Sequence, residues 1–211
     1  MLQFILIPFL THFITYWVSS LIFYYLDLKY LDPNHINWIK YPQAAKTSLF
    51  NQLFIGLPSL FLFEHYSMVA VNNSLHDSYI IMGIKTFMII NMANLFFYTT
   101  HMLLHHPKLY KHIHYKHHEF TEPIAVATLY SHPIEYLISN VLAFYIPFIL
   151  IGTTYNIMLV LISLGTLIST FAHVEYKTIS THNDHKVHHK LYKYNFGFGG
   201  YLDKLFMTYK Q

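Results

Sequence analysis

The stretch YIIMGIKTFMIINMANLFFYTTHMLLHHPKLYKHIHYKHH, residues 79–118, decides how this chain is read. Its first part, Tyr79–Leu104, is apolar for longer than the roughly 20 residues a helix needs to cross the hydrocarbon core of a bilayer. It closes on His101 and His105, then leads through Pro107 into His114, His117 and His118. A third cluster near the C-terminus, His185, His188 and His189, repeats the same spacing. Steps of three and four put side chains on one face of a helix. Two, three and three histidines make eight nitrogen donors. A zinc ion rarely takes more than four ligands, so eight predict two metal ions held between helices. Imidazole suits iron, zinc, copper and nickel alike, and spacing leaves the metal open.

Composition places this site in a membrane. Of the 211 residues, 54% are hydrophobic and 11% charged, against roughly 25% charged in an ordinary soluble domain. Mean hydropathy is +0.33. No cysteine is present, which excludes disulfides, iron–sulfur clusters and thiolate zinc sites. All thirteen basic residues are lysines, dispersed among histidines and aromatics, so the net charge of +3 is not a nucleic-acid footprint and no nucleic-acid partner is expected. There is no Gly-rich phosphate loop and no nucleophile elbow, so neither nucleotide binding nor serine hydrolysis has a residue set. The N-terminus lacks the positive region of a cleavable signal and reads as a retained first span.

Five apolar runs qualify as spans: Leu2–Leu26, Leu49–Val71, Tyr79–Leu104, Ile134–Ile151 and Tyr155–Ala172. Pro8, Pro58 and Pro147 lie inside them, where kinks are expected rather than breaks. The last two runs meet at Gly152-Thr153-Thr154 and predict a tight helical hairpin. Such a hairpin between the second and third histidine clusters returns the chain to its starting side, so all three share one membrane face. Twelve of the thirteen lysines fall on that side, which the positive-inside rule makes cytosolic. Lys85 is the exception, near the opposite end of the third span. The sequon Asn72-Asn73-Ser74 falls in the opposite loop. The expected fold is an all-α integral membrane bundle of about four to five spans with a cytosolic, His-rich metal-binding cap.

Further side chains join the candidate site. A polar stripe, Asn91, Asn94 and Tyr98, runs back from His101 along the third span. It predicts either interhelical hydrogen bonds or a lining for the approach to the metals. His173 at the end of the fifth span and His132 at the start of the hairpin are additional candidate ligands. Ligating imidazoles usually give their second N–H to a carboxylate or carbonyl. Glu119, Glu135, Glu175, Asp184 and Asp203 lie near the right segments for this, with Asn94 as a further supporting group. His106, His112 and His182 fall off the spacing and read as solvated or supporting. His12, His35, His65 and His76 are far from the clusters and read as structural.

These motifs together resemble the fatty acid hydroxylase/sterol desaturase superfamily of membrane di-iron oxygenases. The likeness rests on the HxxxH, HxxHH and HxxHH boxes and on His105-His106-Pro107-Lys108-Leu109-Tyr110-Lys111. It continues through His117-His118-Glu119-Phe120, Pro123-Ile124, His132-Pro133-Ile134-Glu135, Asn195-Phe196-Gly197 and Leu202-Asp203-Lys204-Leu205-Phe206. On that resemblance the whole chain, residues 1–211, is one membrane domain, with N-terminal spans in 1–86 and a hydroxylase-like region over about 87–211. The stretch from the first box to His132-Pro133 is most similar to C-4 methylsterol oxidases. Three positions depart from the family pattern: Met102 replaces an arginine, Lys186 an aspartate, and Met207-Thr208 a Gly-Thr.

The resemblance implies two iron ions and O2 as co-substrate. The ligands it implies are His101, His105, His114, His117, His118, His185, His188 and His189, with His132 and His173 aligned to further family histidines. Electrons would come ultimately from NAD(P)H through separate cytochrome b5 and its reductase. The expected activity is O2-dependent hydroxylation of a lipid C–H bond, a sterol first, in lipid or sterol biosynthesis at the endoplasmic reticulum. Within the superfamily the alternatives are a desaturase, or a hydroxylase of fatty acyl, sphingoid or alkylglycerol chains. Outside it stand a metal-binding transporter and an inactive structural relative.

Overall fold

In the computed structural model, residues 2–30, 37–174 and 184–211 are described. Three residues weighed above, His35, Glu175 and His182, lie outside the described residues. All regular structure among the described residues is helical. It runs α1 (Gln3–Tyr30), α2 (Asn37–Phe50), a π-helical turn (Asn51–Gly56), α3 (Leu57–Asn72) and α4 (Tyr79–Leu104). A short α5 (Pro107–Tyr110) follows, then 3₁₀ turns at His114–Glu119 and Ala125–Ala127. The chain then forms α6 (Pro133–Glu135), a second π turn (Tyr136–Leu142), α7 (Ala143–Ile151) and α8 (Tyr155–Ala172). It closes with α9 (Asp184–Leu191) and α10 (Tyr201–Leu205).

Among the described residues five stretches are long and apolar enough to cross a membrane: Gln3–Lys29, Trp38–Asn72, Tyr79–Leu104, Pro133–Ile151 and Tyr155–Ala172. The second is longer than its apolar run, starting at Trp38 instead of Leu49. Lys40 and Lys46 make Trp38–Ser48 read as a loop, yet the helix runs through it and past Pro42. Lys40 Nζ donates to the Glu119 carbonyl at 2.7 Å, tying α2 to the loop that bears the second histidine cluster. The α2 residues Tyr41, Ala44 and Ala45 pack on Phe120, Ile124, Val126 and Tyr130. Pro8 and Pro147 lie within continuous helices. The hairpin turns at Gly152, whose φ of +75° suits glycine alone. A Cβ there would stand 2.9 Å from Ser74 Oγ and 3.1 Å from the Ala70 carbonyl, so close helix approach demands glycine too.

Helix α1 runs alongside α8 in the same direction. Tyr155 OH donates to the Gln3 carbonyl at 2.7 Å at one end, His12 meets Thr166 in the middle, and Phe23 meets Phe171 near the other end. Helix α4 packs on α7, and α3 packs on both α1 and α7. The outward faces carry large apolar side chains such as Leu62, Ile80, Phe87 and Leu150, as lipid contact requires. Lys85 at the far end of α4 pairs with Asp77 at 2.7 Å, which explains its isolation from the other lysines. Everything that bears histidine clusters lies at the opposite end.

Candidate metal centre

At that end, among the described residues, nine imidazoles converge in two adjacent groups. The first holds His101, His105, His114, His118 and His188, and the second His117, His173, His185 and His189. Within each group the donor atoms lie within 4.8 Å of one another. All nine turn Nε2 inward. In the first group the closest pairs are His114–His118 at 3.0 Å, His101–His114 and His105–His188 at 3.1 Å, and His118–His188 at 3.2 Å. In the second, His173–His185 and His185–His189 stand at 3.1 Å and His117–His173 at 3.4 Å.

The outer nitrogens fix the tautomer of four of these rings. Nδ1 of His101, His117, His173 and His188 faces the carbonyls of Phe196, Tyr130, Ser169 and Tyr194, at 2.8, 3.2, 2.8 and 2.7 Å. A carbonyl only accepts, so each of these rings carries its proton on Nδ1 and a lone pair on Nε2. Between His117 and His173, both fixed in this way, two lone pairs face each other at 3.4 Å and repel unless a cation lies between them. Two nitrogens about 2.1 Å from one ion, spread over tetrahedral to octahedral angles, stand about 3.0 to 3.4 Å apart. The observed separations match, and the donor set fits two metal ions.

Burial keeps the rings in the neutral, ligating form. It lowers His117 to about 4, and with neighbouring imidazoles it lowers His173 to about 3 and His105 to about 2. His114, His118, His185, His188 and His189 are held well below the usual histidine range, chiefly by burial and then by nearby rings.

The elements divide the clusters in a way that spacing alone does not reveal. His101 and His105 share one face of α4, as expected. The second cluster sits on a 3₁₀ turn, and it sends His114 and His118 to one group and His117 to the other. On α9, His185 and His189 face the second group and His188 the first. His173, the C-cap of α8, completes the second group. His132 joins neither. With Pro133 at the first helical position, its Nδ1 accepts the Ile134 N–H at 3.2 Å and caps α6. His106 caps α5 ahead of Pro107 by the same device.

The supporting residues have definite tasks. Glu135 is buried with Oε1 2.9 Å from His114 Nδ1. Glu119 accepts from Tyr130 OH at 2.6 Å, steadying the segment whose carbonyl receives His117. Asn94 grips the backbone of Phe198 with both ends of its amide, at 3.0 and 3.1 Å. Tyr98 OH meets Thr208 at 3.0 Å, and Tyr201 OH donates to Asn91 at 2.9 Å. The polar stripe of α4 is therefore a dock for the C-terminal segment. Asp203, buried, accepts from the N–H groups of Phe196 and Gly197 and from Thr208 Oγ1, at 2.7, 2.9 and 2.8 Å. Asn195 bonds the Asp184 carbonyl and both backbone polar groups of Lys210. Together they hold the loop whose Tyr194 and Phe196 carbonyls orient His188 and His101. Asp184 acts in this knot through its backbone carbonyl, which accepts from Asn195.

A cavity of about 600 Å³ opens beside the histidines, within the range of small-molecule sites. Its walls come from α1, α4, the second π turn, α7 and α8. His12, which reads as structural from sequence, lines it and places Nδ1 2.9 Å from Thr166 Oγ1. Three of the lining residues, Ile90, Leu164 and Ile168, are also 51, 49 and 57% exposed, so the cavity opens sideways between α4 and α8 toward lipid. A second space of about 20 Å³, enough for one small molecule, lies against His101, His117, His173 and His185.

The chain is similar to a family of known proteins. Residues 86–208 match the family model described as fatty acid hydroxylase. Human fatty acid hydroxylase domain-containing protein 2 is 34% identical over 176 residues, 81% of this chain and 52% of that protein. Methylsterol monooxygenase 1 of Gallus gallus is 33% identical over 104 residues, 48% of this chain and 35% of its own. Sphinganine C4-monooxygenase 1 of Arabidopsis thaliana is 32% identical over 128 residues, 53% of this chain and 48% of its own. The chain thus spans about half the length, or less, of these relatives. No solved structure matches.

Proposed function

Because the chain belongs to the fatty acid hydroxylase family, we propose that it is a membrane-bound di-iron oxidoreductase that uses O2 to hydroxylate a lipid C–H bond, with a sterol as the first substrate to test. The observation that carries this reading is the meeting of two inward-facing imidazole groups with an apolar cavity that opens to lipid. Bound iron would supply O2 activation and the oxidising power an unactivated C–H bond requires. His101, His105, His114, His118 and His188 would hold one ion, and His117, His173, His185 and His189 the other.

The chain's own part is orientation and exclusion. Carbonyls of Tyr130, Ser169, Tyr194 and Phe196 keep the proton on the outer nitrogen, so each inner nitrogen is free to ligate. Phe97 and Phe198, stacked 4.4 Å apart, wall the small space beside the histidines and keep bulk water out. Side chains of α1, α4 and α8 bind the apolar body of the lipid. Electrons reach the site from NAD(P)H through cytochrome b5 and its reductase, docking at the histidine end on the cytosolic face of the endoplasmic reticulum.

A second reading, oxidation of a sphingoid, acyl or alkylglycerol chain, draws support from the similarity to a sphinganine C4-monooxygenase. Lipid profiling by mass spectrometry decides between them. A host lacking its own C-4 methylsterol oxidase would express this chain or its His188→Ala variant. A fall in 4-methylsterols with the intact chain alone supports the sterol reading. A new hydroxylated or unsaturated acyl species supports the second. Identical profiles, with both proteins inserted and a reductase present, refute oxidation of either class.

A further inference from the structure

The large cavity and the space beside the histidines share a neck formed by Phe97, Thr128, Ser139, Asn140, Ser169 and Phe198. Two of its polar side chains are engaged. Ser139 Oγ donates to Thr100 Oγ1 at 3.2 Å, and Thr128 Oγ1 donates to the Ala125 carbonyl at 2.7 Å. The carboxamide of Asn140 and the hydroxyl of Ser169 make no hydrogen bond among the described residues, and both residues are half-buried at the neck. Asn140 lies on the π turn Tyr136–Leu142, a local geometry that recurs at functional sites. An unpaired amide within a membrane span is unfavourable. It marks a position where something else supplies the partner.

A bilayer lipid keeps its polar group toward the membrane surface and its apolar body toward the midplane. The histidine groups stand at the surface end of the bundle, so a lipid entering between α4 and α8 brings its polar group to the neck. Among the described residues no lysine lines either space, and buried Glu135 does. A carboxylate or phosphate head would therefore be left unpaired beside a carboxyl group. A hydroxyl both donates and accepts, which matches the carboxamide of Asn140 and the hydroxyl of Ser169.

Resting on the oxygenase reading above, we infer that Asn140, with Ser169, binds the hydroxyl group of an uncharged lipid alcohol. This holds the carbon to be oxidised close to that hydroxyl, not far along the chain. Asn140 is a specificity-determining residue for substrate, not a metal ligand.

The test measures binding, which does not depend on turnover. Purified protein in nanodiscs would be titrated with a radiolabelled 4-methylsterol and its 3-methyl ether, and with a 1-O-alkylglycerol and its dimethyl ether. Oleate serves as the anionic arm. Wild type should prefer one free alcohol over its ether by about tenfold, the loss of a good hydrogen bond, and should bind oleate weakly. The pair that shows the preference identifies the source of the hydroxyl. In Asn140→Leu the preference should fall to about twofold or less with metal content unchanged. Asn140→Ala provides the same reading if the leucine variant misfolds. Undiminished preference in both variants, or no preference in wild type for either pair, overturns the inference. Preference without any lipid oxidation leaves the hydroxyl-binding role of Asn140 standing and sinks the oxygenase reading instead.

Discussion

Glu135 Oε1 lies 2.9 Å from His114 Nδ1, with both side chains buried, at the outer edge of the first histidine group. Carboxylate partners of this kind raise the basicity of a ligating imidazole and fix its orientation. Removing them typically lowers metal affinity 10- to 100-fold. Glu135→Gln keeps the shape and removes the charge, so metal affinity should fall by about that range while membrane insertion is retained. Chelator competition followed by elemental analysis reads this directly. Wild-type affinity in the variant would refute the role.

Met207 has a φ of +60°, in the left-handed region, and its side chain is 92% exposed. A non-glycine residue there costs about 1 kcal/mol or more, and exposure means nothing is lost by truncation. Met207→Gly should therefore stabilise the C-terminal knot by about 1 kcal/mol, seen as a higher melting temperature in detergent. A lower one would show that Met207 makes contacts in the membrane-bound protein.

Asp203 serves three donors at once, and through Phe196 it sets the carbonyl that orients His101. Asp203→Ala leaves those donors unpaired, which should destabilise the tail by about 2 to 4 kcal/mol. Metal loss should accompany it, although Asp203 touches no histidine nitrogen. Hydrogen exchange of the Phe196 and Gly197 amides would rise in the variant. Unchanged protection there would sink the assignment.

Low pH acts on the metal-free protein through the histidines. His105, His117 and His173 are lowered to about 2, 4 and 3 when folded, so below the ordinary value near 6.5 the unfolded chain takes up protons that the folded chain refuses. Their contribution to stability is intact above about pH 6.5 and declines as pH falls toward those lowered values. The slope is on the order of 1 kcal/mol per pH unit for each histidine. Thermal melts of the metal-free protein at pH 7.5, 6 and 5 should fall in that order. Bound metal should delay the fall, because protons must displace it first. A melt independent of pH over this range would contradict the buried, neutral state of the rings.

Much of this was legible in residue order. Span length and apolarity are local properties, so Tyr79–Leu104 and Tyr155–Ala172 match the helices residue for residue. His173 was visible because it ends a span facing the clusters. Trp38–Ser48 was not, because its lysines mask a helix that ties down at one end to Glu119. The mismatch at Met207 shows in sequence as a departure from a glycine, but its strain shows only in the backbone angle.

What the chain's sequence determined by itself was the material: five apolar spans, eight clustered histidines, and a topology that brings the clusters to one end. Hydrophobic length and residue parity settle these without any knowledge of packing. What only the tertiary structure decided was the partition. Two of the three clusters are split between the groups, His132 caps a helix, and backbone carbonyls of Tyr130, Ser169, Tyr194 and Phe196 select the ligating nitrogens. His12 and Asn140 became cavity residues in the same way. These outcomes depend on contacts between segments tens of residues apart, and on carbonyls that every residue carries, so no residue type announces them.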